Sequence, residues 1–171
     1  MGRRVSLKSL LWLFVKFVLF ATAFFAIWVL IGEKLYLPFL GWLISVLPAG
    51  LGKIQFLGLR KSELIFRVFI LRADVGIDAK SIAVDFAPFW ALVLASPGTI
   101  RGRFWDLLRG TIMLFLLHII AIFVILKMTI SGSIFIEGIK IFIDGVLLPL
   151  APVLLWFMFM DRKAMKELLQ L

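Results

Sequence analysis

Asp85-Phe-Ala-Pro-Phe-Trp-Ala-Leu-Val-Leu-Ala-Ser-Pro-Gly-Thr-Ile-Arg-Gly-Arg-Phe-Trp-Asp-Leu-Leu-Arg109 is the stretch whose reading decides the fold. Residues 86–100 are apolar but short, and they hold Pro88 and Pro97. Residues 101–109 gather Arg101, Arg103 and Arg109 around Phe104 and Trp105, the composition of a basic interfacial segment. Two other basic clusters, Arg3/Arg4/Lys8 and Arg162/Lys163/Lys166, stand at the ends of apolar blocks. Basic residues concentrate in short loops on one side of a membrane. If 86–100 crosses, all three clusters share a side; if it does not, the two later ones fall opposite the first. Crossing is therefore expected.

Working outward, residues 10–31 form an apolar run long enough to cross about 30 Å of hydrocarbon, with Lys16 its single charge. Lys16 is close enough to the N-terminal end to snorkel to the headgroups. Ala21-Thr22-Ala23 imitates a signal-peptidase site, and Arg3-Arg4 faintly resembles a twin-arginine signal, but the apolar run continues to Ile31, so an uncleaved anchor is expected. Residues 110–126 and 146–160 supply two further spans, the last kinked by Pro149 and Pro152. The expected fold is mainly α: an integral membrane bundle of about four transmembrane helices with both termini cytoplasmic, placed in the cell inner membrane. The segment 127–145 is an extracytoplasmic loop on this reading, and 161–171 a cytoplasmic tail.

Between the first two spans, residues 33–85 form an extracytoplasmic loop. Residues 35–47, bounded by Pro38 and Pro48, are too short to span and suit an interfacial or re-entrant helix. Residues 53–85 alternate β-branched and aromatic residues with breaks at Arg60-Lys61-Ser62 and Ala73-Asp74, which predicts a small antiparallel β meander.

Composition agrees. Of 171 residues, 63% are hydrophobic and 17% charged, outside the range of a water-soluble domain. The excess of Lys and Arg (19) over Asp and Glu (10) reports topology and anionic headgroups rather than nucleic acid. The chain has no cysteine, which removes thiolate nucleophiles and thiolate metal sites, and one histidine makes a histidine-based metal site improbable. No phosphate-cradling glycine loop is present, and no cofactor is expected.

Polar residues in apolar surroundings are the remaining chemical candidates. His118, mid-span, must face protein or water; a hydrogen-bonded structural role weighs more than proton handling. Asp85 and Asp144 stand at the outer ends of spans, where helix N-capping is expected ahead of a shared-proton dyad. Ser131 and Ser133 near Lys127 could imitate a serine–lysine pair, yet a wet interface would not lower the lysine pKa, so a turn is expected. Glu137 and Lys140 fit an i, i+3 pair on an amphipathic outer segment.

From Asp85 to Trp156 the chain resembles the core of the exosortase and archaeosortase family, multi-span membrane transpeptidases that process C-terminal sorting signals on the outer face. Asp85-Phe-Ala-Pro88 stands at the family's Cys motif, Arg101 to Arg109 at its basic loop, and Leu117-His118-Ile119-Ile120-Ala121 at its Asn-x-x-Arg pattern. Cysteine is absent, Ala121 replaces the arginine, and no histidine lies near 134–138, so no catalytic residue carries over. The resemblance implies a small exosortase-associated membrane protein, of the kind encoded beside exosortase H, that is not itself the enzyme. Its outer loop would contact a sorting enzyme or its substrate through Phe56, Arg60, Lys61, Phe66, Arg67, Phe69 and Arg72, since interfaces favour aromatics and arginine. The alternatives are that these residues form a strand face resting on the chain's own helices, that His118 with Asp85 or Asp144 serves a membrane enzyme or transporter, or that the chain is a structural anchor in lipid.

Overall fold

The computed structural model describes residues 7–47, 54–61, 63–78, 84–132 and 134–160, so Arg3, Arg4, Ser133 and the basic tail from Arg162 lie outside the described residues. Helix α1 (Leu7–Ile27) passes through a π turn (Trp28–Gly32) straight into α2 (Glu33–Val46). The short helix expected over residues 35–47 is present as α2, but it continues from α1 without the break expected after Ile31. The cause is local: Gly32 keeps helical angles, φ −60° and ψ −47°, so nothing breaks the chain there. The wider π turn re-aims α2. Pro38, inside α2, removes the amide that would bond to the Lys34 carbonyl.

Beyond α2 lies a three-stranded antiparallel sheet, β1 (Ile54–Arg60), β2 (Glu63–Val68) and β3 (Ala73–Asp78), in sequential order. The meander is present, and its first turn falls at Arg60 and Lys61 as expected. The second falls earlier than Ala73-Asp74. Residues 69–72 make that turn, closed by bonds from Leu71 N to Val68 O (3.1 Å) and Arg72 N to Phe69 O (3.2 Å). Arg72 adopts φ +52° there, a left-handed angle in the last residue of the turn before β3. Phe56 pairs with Phe66 and Phe66 with Val75, on the face turned to α2. Gly41 lets that face come close: a Cβ at this position would meet the Phe56 ring. Leu37, Leu40 and Ile44 of α2 join Leu64, Phe66 and Ile77 in one buried cluster.

Helix α3 (Phe86–Ala95) ends at Ser96 before Pro97, and its ten residues rise about 15 Å, half of a bilayer's hydrocarbon core. Helix α4 (Ile100–Ser131) is uninterrupted through its 32 residues. The Arg101 to Arg109 segment, expected as a separate interfacial element, is thus its first turns. Thr99 caps it by accepting from Gly102 N at 3.1 Å, and Gly132, at φ 60°, terminates it. Much of the loop expected over 127–145 is also helical: α5 (Ile136–Phe142) runs through a π turn (Ile143–Leu147) into α6 (Leu148–Phe159). The π turn directly precedes Pro149 and Pro152, which lack the amides for regular bonds to the carbonyls of Gly145 and Leu148.

Ring contacts orient the helices. Phe24 meets Trp90 at 5.4 Å and Trp28 meets Phe86 at 5.4 Å, so α1 and α3 run antiparallel. Trp90 Nε1 donates to Thr111 Oγ1 at 2.9 Å while Phe86 packs on His118 at 5.1 Å, so α3 and α4 are antiparallel as well. Trp156 Nε1 donates to Ser96 Oγ at 2.7 Å, tying the end of α6 to the end of α3. Among the described residues three stretches are long and apolar enough to cross a membrane: Leu11–Gly32, Ile100–Ser131 and Ile136–Phe159.

Candidate functional site

His118 is fully buried on the face of α4 that carries Leu114, Ala121 and Ile122. Two segments far apart in sequence bring it polar partners. The Tyr36 hydroxyl, from α2, lies 2.7 Å from Nδ1, and Asp85 Oδ2, from the start of α3, lies 3.6 Å from Nε2. Around them stand Trp28, Phe86 and Phe115, each within 6.2 Å of the Tyr36 ring centre. A separation of 3.6 Å is an ion-pair distance and too long for a hydrogen bond. Among the described residues His118 Nε2, Asp85 Oδ2 and Trp28 Nε1 are buried without a hydrogen-bond partner.

Tyr36 donating to Nδ1 would set the imidazole proton on Nε2, directed at the carboxylate; protonating Nδ1 as well makes His118 a cation beside Asp85. The arrangement can hold a proton between two side chains. It can also clasp α2, α3 and α4 together, because His118 of α4 meets Tyr36 of α2 on one side of its ring and Asp85 at the start of α3 on the other.

Asp85 does not serve as the helix cap expected of it: its side chain makes no capping bond on α3 and turns to His118 instead. Asp144 is half-buried within the π turn before α6, and no side-chain cap precedes that turn. Ser131 donates to the Met128 carbonyl at 3.0 Å, a turn bond, and Lys127 is exposed. Glu137 and Lys140 occupy the first and last turns of α5, complementing its dipole. Among the described residues no three His, Cys, Asp or Glu side chains gather as a metal site.

The seven residues expected to contact a partner divide by face. Phe66 is fully buried and Phe56 partly so, its ring 5.6 Å from that of Phe66, so Phe66 offers no contact surface and the pair serves the seat on α2. Arg60, Lys61, Arg67 and Arg72 are exposed. Arg67 forks onto Asp74, Nε to Oδ1 at 2.9 Å and Nη2 to Oδ2 at 3.3 Å, across β2 and β3. That bond holds the Asp74 carboxyl below its ordinary range and raises Arg67. Phe69, Ile70 and Leu71 are all exposed at the turn. Together they make an apolar tip between Arg67 and Arg72.

Tyr36 is the member that sequence reasoning missed. It is the chain's only tyrosine, and a lone phenol in an apolar helix was the available signal. Thr111 and Ser96, small hydroxyls in apolar segments that receive the indoles of Trp90 and Trp156, were equally readable. Compared with family models, curated proteins and solved structures, the chain matches none.

Proposed function

We propose that this chain is a non-enzymatic membrane protein that accompanies an exosortase-type sorting enzyme and contacts that enzyme or its substrate through the sheet. The observation that carries this reading is the division of labour around α2. One face of the sheet is spent on α2 and its core, while Arg60, Lys61 and Arg72 with Ile70 and Leu71 are exposed at its turns. The buried His118 meanwhile is engaged by its own chain. A four-span topology with the sheet outside fits the same reading, since the sheet precedes one end of α3 and Arg101 follows the other. Tagged protein solubilised in mild detergent should then carry a sorting enzyme with it. Clean isolation alone, with unchanged processing of tagged substrates in a deletion strain, would sink the proposal.

The pairing of His118 with Asp85 favours a second reading, a membrane enzyme or transporter that moves a proton through this pair. His118→Ala discriminates. It should abolish activity under the second reading and leave capture of the sorting enzyme nearly intact under the first.

A further inference from the structure

Helices α1 and α4 both pack on α3 and leave a cleft made of two apolar grooves that meet at Trp90 of α3, one lined by Phe24 of α1 with Phe104 and Leu108 of α4, the other by Trp28 of the π turn with Ile112 and Phe115 of α4. We propose that this cleft holds one anionic glycerophospholipid, with acyl chain along the aromatic floor and phosphate at Arg101.

The wall is apolar because Trp28 Nε1 is buried and two other polar groups of the lining are already bound. Thr111 Oγ1 accepts from the Trp90 indole, and the Tyr36 hydroxyl is bound to His118. On α4 the lining positions Phe104, Leu108, Ile112 and Phe115 recur at helical spacing on one face. From Phe104 to Phe115 that face rises roughly 16 Å, about half of a 30 Å hydrocarbon core and so the depth of one leaflet. An acyl chain of that leaflet matches the length. A membrane-crossing helix would need twice as much.

Charge selects the headgroup. Arg101 is exposed one turn before Phe104, on the same side of α4. Asp106, two residues past Phe104, falls on the opposite side of the helix and does not oppose an anion in the cleft. Arg103 is occupied, donating from Nη1 to the Leu94 carbonyl at 3.2 Å, so among the described residues of α4 Arg101 is the basic group nearest Phe104 on the cleft side. Lys16 lies two turns before Phe24 on α1, toward the same end, with its ammonium over the Trp12 ring at 5.4 Å.

This inference depends on membrane insertion and not on a sorting partner, and recovery of the chain in the membrane fraction checks insertion separately. Native mass spectrometry of the full chain in mild detergent, offered phosphatidylglycerol and phosphatidylcholine with identical acyl chains, tests it. One phosphatidylglycerol per chain should be retained about fivefold over phosphatidylcholine, the selectivity expected for one basic residue near an anionic lipid. Arg101→Gln should erase that preference while keeping lipid. Ile112→Trp, from a half-exposed position on the cleft wall, should lose both lipids, whereas Ile120→Trp, exposed on the far side of α4, should lose neither. Equal retention of the two lipids by the unaltered chain, undiminished retention in Ile112→Trp, or a polypeptide photocrosslinked from position 112 in place of lipid would each overturn the proposal.

Discussion

Tyr36 and His118, separated by 82 positions in sequence, meet through a 2.7 Å bond between the hydroxyl and Nδ1. The bond joins a helix that seats the sheet to a helix long enough to cross a membrane. Tyr36→Phe removes it without changing the ring. The expected cost is about 1 kcal/mol, within the span measured for interhelical hydrogen bonds in membrane bundles. Unfolding in detergent followed by circular dichroism checks this, and an unchanged midpoint would show that the bond contributes nothing.

Asp85 supplies the second contact at 3.6 Å, and here the prediction concerns non-additivity. His118→Leu alone strands a carboxylate that is 5% exposed, and Asp85→Leu alone removes the charge facing Nε2 of the imidazole while Tyr36 still holds Nδ1. Breaking one side of a buried polar pair is costly, often about 3–5 kcal/mol, whereas replacing both with apolar groups can be close to neutral. The double variant should therefore be more stable than either single one, as a double-mutant cycle would reveal. Additive losses would mean that the two side chains do not act on each other.

A different constraint governs Gly110. A Cβ at this position would collide with the Phe89 ring, because α3 and α4 approach closely there. Gly110→Val should destabilise by roughly 1–3 kcal/mol through overpacking. Phe89→Ala in the same chain should relieve much of the strain. Thermal unfolding of the single and double variants is the measurement, and a Gly110→Val chain as stable as the parent would contradict the packing.

Arg67 and Asp74 lie at the surface, so the prediction there is one of pH rather than large stability. The Asp74 carboxyl is held low by the Arg67 hydrogen bonds. Its contribution is present above the unfolded-state value and is lost as pH falls through the lower folded-state value. Hydrogen exchange at β2 and β3 amides should quicken in that acidic window, and added salt should weaken the effect. Asp74→Asn should abolish this particular pH response.

These contacts separate what sequence could specify from what it could not. Long apolar runs and β-branched alternation mark the three long helices and the meander, because both signals are local and periodic. Helix ends were harder. Gly32 looks like a stop and is helical, at φ −60°, while Gly132 ends a helix at φ 60°, and glycine admits both angles. His118 and Asp85 were both legible as unusual polar residues, yet their pairing depends on α3 reversing beside α4, information that no local pattern contains. Phe66 read as a contact residue because alternation identifies a face without saying whether the covering partner is another protein or the chain itself.

The sharpest remaining test concerns α3. Its ten residues reach from Asp85, level with His118, to Ser96, beside Trp156, while the extended residues 96–99 lead on to α4. A helix of that length needs help to cross, either from local thinning of the bilayer or from polar neighbours that carry its ends. Tyr36 and His118 provide such neighbours at one end, and the Trp156 indole does so at the other. Reporter fusions inserted at Lys61, in the turn after β1, and at Trp105, in the first turns of α4, should therefore label opposite sides of the membrane. Labelling on one side would make α3 re-entrant, and it would set Arg101, Arg103 and Arg109 on the same face as the sheet.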